Sequence, residues 1–450
     1  MTQDDLKKYT VVVGEGSGCL FQPMTENFTY IITAKHLFDE DKELESGETI
    51  KELKPNGSLI HIARHTHNGD VWDLESIDFV LQLDENYFPH EHADLAILKI
   101  PFLNGCNMIN IIEEPIFVQG INLCGFPNTA NANIAGERYQ TKEIQNFGAT
   151  GNYSISAQLI GNFDQQDIEG MSGGGILSLN GDGITFSGTQ SKMASLLYPA
   201  GRIGFIQPKY AREIIEYPKY AGRLEKLYPN TLANFSFLRD KAFLLDVDAM
   251  DVENADGARV TLLNKAQYII DSEITPFAIR ELFKERLLVN ENDKTCLGYN
   301  AVWIAWLEFL TIMNIAKYDQ IDSTNLSQIF NSYRLMYVHT DDWTAVNISQ
   351  VYGKSNYFGL KPDSTVIVSS KSPAKTKFKI AKGTLIDIKR PYDKKGFRTD
   401  MGIHPFTCFD FVHIDYFKTK CIVQKIEEYQ DLSEQDILDK LKQEYNDLFN

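Results

Sequence analysis

The segment I-E-G-M-S-G-G-G-I-L at residues 168–177 places one serine among four glycines. Glycine adopts positive φ and lets other backbone approach where a Cβ would clash. A hydroxyl on such a turn acts as a nucleophile when a base takes its proton and nearby N–H groups stabilise the oxyanion that forms. Ser172 is therefore a candidate nucleophile, and a flexible Gly-Ser turn is the alternative.

A serine nucleophile requires a general base and a group that orients the base. His36 ends the apolar run Y-I-I-T-A-K-H, and Asp94 opens A-D-L-A-I-L-K-I, so each stands at the end of a predicted strand. The order His, Asp, Ser is the chain order of the double β-barrel proteases. These three residues are a candidate catalytic triad.

The α/β-hydrolase plan is an alternative for this serine, because G-M-S-G-G also fits the pattern G-x-S-x-G. That motif must lie between a strand and a helix. Here a polar loop, F-D-Q-Q-D-I-E, precedes Ser172, and the segment I-L-S-L-N-G-D-G-I-T-F after it predicts a β-hairpin. The flanks favour a β-barrel enzyme over an esterase of the α/β-hydrolase class.

The other histidines of this region lie in polar segments, and two pairs, H-T-H and H-E-H, could contribute metal ligands. No closing ligand spacing follows either pair. We therefore predict no metal and no cofactor. The histidines in question are His61, His65, His67, His90 and His92.

The elements that must position these residues follow from the hydrophobic pattern. The first 210 residues alternate short apolar runs with turn signals, which predicts an all-β region. A helical pattern begins at Pro208, Thr275 caps a later helix, strand patterns return after Pro362, and Ser433 caps a final helix. The sequence predicts an all-β domain at 1–220, a connector at 221–260 and an α+β domain at 261–450.

Composition excludes several classes of function. The formal net charge of −17 argues against nucleic acid and anionic membrane as partners. The run A-V-W-I-A-W-L-E-F-L-T-I-M-N-I-A from Ala301 contains Glu308 and is too short to span a bilayer, so it predicts a core helix. The six scattered cysteines and the polar N-terminal segment predict a reduced, cytoplasmic protein.

Five segments of the first domain, in order, resemble the trypsin-like (chymotrypsin-fold) serine peptidases, most closely the bacterial HtrA-like proteins. G-S-G-C-L-F and Y-I-I-T-A-K-H are similar to the strand pair before that family's catalytic histidine. A-D-L-A-I-L-K-I resembles its aspartate segment, and E-G-M-S-G-G-G its serine loop. G-T-Q-S at 188–191 is similar to the strand of the specificity pocket, and G-R-I-G-F-I-Q-P-K-Y-A-R-E-I-I to the closing strand and helix. The resemblance implies a double β-barrel and a serine endopeptidase that cleaves a protein or peptide.

The resemblance also implies roles for the triad. Ser172 attacks a peptide carbonyl, His36 takes and returns the proton, and Asp94 orients the imidazole. The N–H groups of Gly170 and Ser172 form the oxyanion hole.

The resemblance implies a specificity pocket that contains Gln166, Ser191 and Met193. Ser191 is also expected to support Asp94, and the alternative is that Ser191 is an ordinary serine of a strand with no role in the site. Gln166 is expected at the bottom of that pocket, and its uncharged side chain argues against a preference for Arg or Lys. Met171 replaces the acidic residue that pairs with a new amino terminus in trypsin's relatives, and no I-V-G-G-like start exists. The zymogen latch is therefore absent, and we expect the C-terminal domain to restrain the enzyme.

The C-terminal half lies outside this resemblance. Its architecture is similar to that of bacterial anti-phage proteins, such as those of three-component ATPase-linked systems, in which a peptidase is fused to a sensing or docking module. This similarity implies a regulatory protein partner for residues 261–450. The basic stretch 371–398, with Tyr392 and Phe397, could bind an acidic partner or nucleic acid, but edge-strand protection is the favoured interpretation. His404, Asp410 and His413 are predicted to be solvated strand positions. A pseudo-peptidase that only binds protein is the rival to an active enzyme.

Overall fold

The structure is a computed structural model of the chain, divided by its internal contacts into two compact units, Met1–Thr231 and Leu232–Asn450. The boundary between the units falls within the stretch 221–260 that the sequence marks as a connector. The structure describes residues 3–44, 46, 48–68, 71–106, 109–112, 115, 117–128, 138–161, 163, 165–180, 183–193, 201–247, 252–290, 293–345, 357, 359–361, 363–381 and 409–449.

Two seven-stranded sheets make up most of the first unit. The first sheet has the strand order β7-β6-β1-β2-β3-β9-β8, and a separate hairpin pairs β4 with β5. All of its pairings are antiparallel. The strands are β1 Thr10–Val13, β2 Gly16–Phe21, β3 Phe28–Thr33, β4 Asp39–Glu43, β5 Thr49–Leu53, β6 Leu59–Asn68, β7 Val71–Val80, β8 Tyr87–Pro89 and β9 Ala96–Pro101.

The second sheet has the order β10-β15-β14-β11-β12-β13-β16, and a further pairing of β15 with β16 closes it into a ring. In β13 every second residue is buried, so one face of the ring packs inward. Among the described pairings the first sheet does not close, so the mostly β character of this region is confirmed and the double barrel stays a prediction. The strands are β10 Ile109–Ile111, β11 Asn122–Gly125, β12 Gln140–Thr150, β13 Ser154–Leu159, β14 Gly175–Asn180, β15 Gly183–Met193 and β16 Arg202–Ile206.

The first unit contains three α-helices in its described part, α1 Gln3–Lys7, α2 Gln165–Ile168 and α3 Pro208–Glu216. The last of these begins at a proline, whose fixed φ suits the first turn of a helix. Its residues Tyr210, Ala211, Ile214 and Ile215 belong to the core built around the first sheet. This helix is therefore an integral part of the first unit.

The second unit combines helices with a four-stranded sheet of order β17-β18-β20-β19. The pairs β17–β18 and β18–β20 are parallel, and β19 is antiparallel to β20. No described helix is long and apolar enough to cross a membrane. The elements are α4 Val252–Ile270, α5 Pro276–Phe283, α6 Asn300–Ala316, α7 Leu326–Ser332, β17 Tyr333–Val338, β18 Thr365–Ser370, β19 Lys379–Ile380, β20 Asp410–His413, α8 Asp415–Thr419 and α9 Glu434–Phe449.

Local sequence signals correctly predict both helix caps in this unit. Thr275 accepts a hydrogen bond from Ala278 N, and Ser433 accepts one from Asp436 N. The strand patterns after Pro362 include F-D-F-V-H-I-D-Y-F at 409–417, and the strand predicted there is wrong in its second half, because α8 begins at Asp415.

The basic stretch is only partly described, since residues 382–408 lie outside the described part of the chain. Exposed and buried residues alternate at the edge strand β19 and just before it. Lys377 and Lys379 are exposed, and Phe378 and Ile380 are buried. This alternation is the edge-strand arrangement that the sequence favours. Tyr392, Phe397 and His404 lie outside the described residues.

Helix α6 is buried on nearly all sides, which confirms the predicted core helix. Its one acidic residue, Glu308, is 2% exposed. The carboxylate accepts hydrogen bonds from Lys418 Nζ at 3.1 and 3.2 Å and from Phe243 N at 2.6 Å. Lys418 also pairs with Asp415 at 3.1 Å. A buried charge is tolerated here because each of its oxygens has a donor.

We expect Glu308→Ala to lower the free energy of unfolding by about 3 kcal/mol, because it leaves a buried ammonium underpaired and a buried N–H without its acceptor. Urea denaturation measures the change. Glu281→Ala on the exposed face of α5 is the control and should cost less than about 0.5 kcal/mol. Equal losses in the two variants would contradict this account of Glu308.

Candidate active site

His36 and Asp94 meet where two paired strands end. His36 lies in a 3-10 turn, Lys35–Phe38, just after β3, and Asp94 lies just before β9. The two strands are antiparallel with Thr33 opposite Ala96, so these ends must be close. Asp94 Oδ2 lies 2.7 Å from His36 Nδ1, and Asp94 Oδ1 accepts a hydrogen bond from His36 N at 2.9 Å. An Nδ1–H that donates to Asp94 leaves Nε2 with a lone pair, as a general base requires.

A third donor reaches the same carboxylate from the second sheet. Ser191 on β15 donates its hydroxyl to Asp94 Oδ2 at 2.5 Å. Burial opposes ionisation of Asp94, but the hydrogen bonds from His36 and Ser191 outweigh it and hold the pKa of Asp94 below its ordinary value. The carboxylate therefore stays ionised opposite the imidazole.

The loop that carries Ser172 lies between α2 and β14 and is held by backbone hydrogen bonds from both sheets. Ser17 N on β2 donates to Ser172 O at 2.7 Å. Gly173 N donates to Gln190 O at 2.7 Å, and Gln190 N donates to Gly174 O at 2.9 Å. The serine loop is thus fixed between β2 and the strand that carries Ser191.

Two of the glycines are required by conformation and by space. Gly170 has φ +93°, and a Cβ there would lie 2.5 Å from Phe126 O. Gly173 has φ +87°, and its Cβ would lie 2.0 Å from Ser17 O and 2.3 Å from Thr33 Oγ1. No side chain fits at either position. The loop is therefore a tightly packed turn and not a flexible Gly-Ser linker.

Contacts across β2 and β3 connect the serine loop to the histidine. Thr33 Oγ1, at the end of β3, donates to Ser17 O at 2.6 Å, next to the Ser17 N–H that holds Ser172. His36 follows three residues later. The structure thus brings His36 and Asp94 into direct contact and ties Ser172 to the same frame. Within the described residues, no hydrogen bond joins the Ser172 hydroxyl to the His36 ring, so a complete triad stays a prediction.

The amides of the loop show a pattern at the predicted oxyanion hole. Met171 N donates to Ile168 O at 2.9 Å, and the amides of Gly173 and Gly174 also have protein acceptors. For the N–H groups of Gly170 and Ser172 we find no acceptor in the described part of the chain. An oxyanion hole needs two such uncommitted donors near the nucleophile.

Of the three predicted specificity residues, the structure describes the side chains of Gln166 and Ser191. Gln166 is exposed on α2, and Ser191 is buried with its hydroxyl on Asp94. Met193 ends β15, and its side chain lies outside the described residues. The structure has a cavity of about 580 Å³, but its described lining comes mainly from the segment before Asp94 and from α3, and it includes neither Gln166 nor Ser191. The roles of these residues in substrate binding stay predictions.

Sequence reasoning missed Ser17, which is fully buried on β2. Its hydroxyl donates to Gly170 O at 2.8 Å and accepts from Phe126 N at 2.9 Å. It therefore fixes the peptide beside the predicted oxyanion hole. The quoted segment G-S-G-C-L-F contains this serine, but an alternating strand pattern does not reveal a partner more than a hundred residues away.

Two of the histidines in these pairs, His65 and His90, have protein partners. Among the described side chains, no group of three or more His, Cys, Asp or Glu is placed to hold a metal ion. His65 is buried and stacks on Phe126, and burial, aided by Lys7, lowers its pKa to about 4. His90 binds Glu213 and two backbone amides instead.

A second Ser-His-Asp arrangement lies at the end of the sheet in the second unit. Ser370 Oγ is 2.8 Å from His413 Nε2, and His413 Nδ1 is 3.2 Å from Asp415. However, Ser370 Oγ lies 2.7 Å from Ser372 O, and Asp415 N lies 3.2 Å from His413 Nδ1. An Nε2–H tautomer donates to Ser370 Oγ and leaves Nδ1 to accept from Asp415 N. The Asp415 carboxylate is held by Ala374 N and Lys418 Nζ instead, so the cluster has a structural role. The prediction that His413 is solvated is wrong, because it is 1% exposed.

Comparisons with known proteins concern mainly the C-terminal part. Residues 206–423 match the family model described as C-terminal domain 4 of the ABC-three component (ABC-3C) systems. This match agrees with the predicted three-component architecture. A comparison with curated proteins finds no match.

Among solved structures, a similar one is catalytically inactive tobacco etch virus protease complexed with substrate. The likeness has 14% identity and a TM-score of 0.30 and covers 51% of this chain and 90% of that chain. At this TM-score it carries no conclusion about this chain. Neither match is to an HtrA-like peptidase, so that part of the resemblance stays a prediction.

We expect Gly173→Ala to cost about 3 kcal/mol or more in the free energy of unfolding, because a Cβ must displace Ser17 O as well as adopt positive φ. Gly105→Ala is the matched control, since Gly105 has φ +86° and no atom of the described residues lies within 4 Å of its Cβ position. The control should lose only about 1 kcal/mol. Similar losses in urea denaturation would show that the serine loop relaxes freely.

We expect the stability loss in Ser191→Ala to depend on pH. Because the pKa of Asp94 is lowered in the folded state, its ionised form stabilises the fold above the unfolded-state pKa of about 3.9. That stabilisation is lost as pH falls below this value. Ser191→Ala should therefore cost about 2 kcal/mol at pH 7 and less below about pH 4.

Urea denaturation at several pH values measures this dependence. Ser178→Ala is the control, because Ser178 and Ser191 are both 3% exposed and Ser178 contacts no carboxylate in the described part of the chain. Its loss should not change with pH. A loss at Ser191 that is equally independent of pH would contradict the role of its hydrogen bond.

Proposed function

We propose that this chain is a serine endopeptidase of a bacterial anti-phage system, with Ser172 as nucleophile, His36 as general base and Asp94 as the orienting carboxylate. The observation that carries the proposal is the contact of Asp94 with both His36 Nδ1 and Ser191 Oγ. A half-buried carboxylate that fixes the tautomer of a half-exposed imidazole is what proton transfer from a serine requires. The match of residues 206–423 supports the defence context.

The proposed reaction proceeds through an acyl-enzyme. Ser172 Oγ attacks the carbonyl carbon of a peptide bond while His36 Nε2 takes its proton. The N–H groups of Gly170 and Ser172 stabilise the oxyanion, and the imidazolium returns the proton to the departing amine. Water then attacks the ester, with His36 again as base, which releases the acid and restores the serine.

Regulation is assigned to the C-terminal part, because Met171 leaves no acidic partner for a new amino terminus. A three-component system has other protein components, so a regulatory protein partner for residues 261–450 accords with the family description. The net charge of −17 disfavours nucleic acid as that partner. The proposed setting is the bacterial cytoplasm.

A pseudo-peptidase that binds a protein without cleaving it is the second candidate. The observation that favours it is that, in the described residues, no hydrogen bond joins Ser172 Oγ to His36. Free enzymes often have long contacts at this position that tighten only with substrate bound. Reactivity of Ser172 therefore separates the two candidates.

We expect a fluorophosphonate probe to label the purified full chain at Ser172, as mapped by mass spectrometry of the peptide. Ser172→Ala should abolish labelling, and His36→Ala and Asp94→Asn should slow it by on the order of 10³–10⁴-fold, because both remove activation of the hydroxyl. The exposed residues Ser76 and His61 provide controls, and their alanine variants should label normally. An unlabelled Ser172 in the folded wild-type chain would reject the endopeptidase in favour of the binding protein.

A further inference from the structure

Asp94 lies in a short connection between β8 and β9 that is closed by its own backbone. His90 N donates to Leu95 O at 2.8 Å, and Leu95 N donates to Ala93 O at 2.8 Å. The strands on either side pair with each other, with Pro89 opposite Ala96. The position of Asp94 is thus set by whatever fixes this connection.

The side chain of His90 lies inside the connection and is 8% exposed. Its Nδ1 accepts hydrogen bonds from Ala93 N at 2.8 Å and from His92 N at 3.1 Å. A ring nitrogen that accepts has a lone pair, so the proton of the neutral ring must be on Nε2. Nε2 lies 3.0 Å from Glu213 Oε2 on α3 and donates to it.

The residue before the candidate general base holds the same connection from outside. Lys35 Nζ donates to His90 O at 3.1 Å and to Glu91 O at 3.4 Å. The connection is therefore tied to the turn that carries His36 and, through the His90 ring, to α3. The contacts of Lys35 and of the His90 ring therefore both help to set the distance between Asp94 and His36.

We propose that His90 is a positioning residue for Asp94: its Nδ1 holds the amides of the 90–94 connection so that the carboxylate meets His36, and Glu213 holds the ring. This inference rests on the proposed function. Glu213 belongs to the segment 206–423 that matches the ABC-3C domain and also to the first unit. A displacement of α3 thereby acts on the Asp94 connection through Glu213 and His90.

Two variants of similar size separate the two ring nitrogens. His90→Asn places an amide oxygen near the position of Nδ1, where it can accept from the amides that follow, as asparagine does in turns. His90→Gln places its amide near the position of Nε2, which keeps a donor for Glu213 and loses the acceptor for the backbone. If Nδ1 positions Asp94, the first variant keeps the site and the second does not.

The first readout is the low-field proton NMR signal of His36 Nδ1–H in the full chain, assigned by its loss in His36→Ala. The signal should persist in His90→Asn and be lost or broadened in His90→Gln. The second readout is the rate of fluorophosphonate labelling at Ser172, which should fall on the order of 10–100-fold in His90→Gln and change little in His90→Asn. Thermal unfolding of each variant monitors the fold.

The outcomes separate this inference from the proposed function. A wild-type NMR signal in His90→Gln, or the same response in both variants, would overturn the positioning role. If the NMR signal follows the expected pattern while wild-type Ser172 does not react with the probe, the positioning role stands and the endopeptidase proposal fails.

Discussion

The candidate site depends on the half-buried carboxylate of Asp94. Removing an ionised carboxylate from water is costly unless donors surround it. Here the donors come from the turn after β3 and from β15, which belong to different sheets. Satisfying one charge thus fixes the histidine turn of the first sheet against a strand of the second, and the serine loop pairs with that same strand through Gln190.

The second constraint is steric. At Gly173 the serine loop approaches β2 so closely that a hypothetical Cβ would overlap Ser17 O. The close approach lets the N–H of Ser17 reach Ser172 O and lets the Ser17 hydroxyl reach Gly170 O. Ser17 thereby holds two carbonyl groups of the loop, Gly170 O through its side chain and Ser172 O through its backbone N–H. The glycine cluster is explained by packing of backbone on backbone, and the amides of Gly170 and Ser172 have no acceptor within the described residues.

Sequence reasoning succeeds where the signal is local. The caps at Thr275 and Ser433, the hairpin of β14 and β15 and the core helix α6 all follow from short patterns. The contact of His36 with Asp94 is open to such reasoning, because strand ends and residue order are visible in a sequence. Ser17 and His90 were missed because their roles depend on partners far along the chain, Gly170 and Glu213. The parallel pairing of β17, β18 and β20 is likewise invisible, since it depends on long-range register.

The family match and the division into compact units assign α3 to different parts of the chain, and the packing of its side chains assigns it to the first unit. The ABC-3C family match begins at residue 206, whereas the first compact unit ends at Thr231. Residues Tyr210, Ile214 and Tyr220 are buried in the core of the first unit, so a cut at residue 206 would expose that core to water. It would also remove Glu213 from His90. The first part of the segment that matches the family is therefore structurally part of the first unit, and a contact with the Asp94 connection is built into that unit.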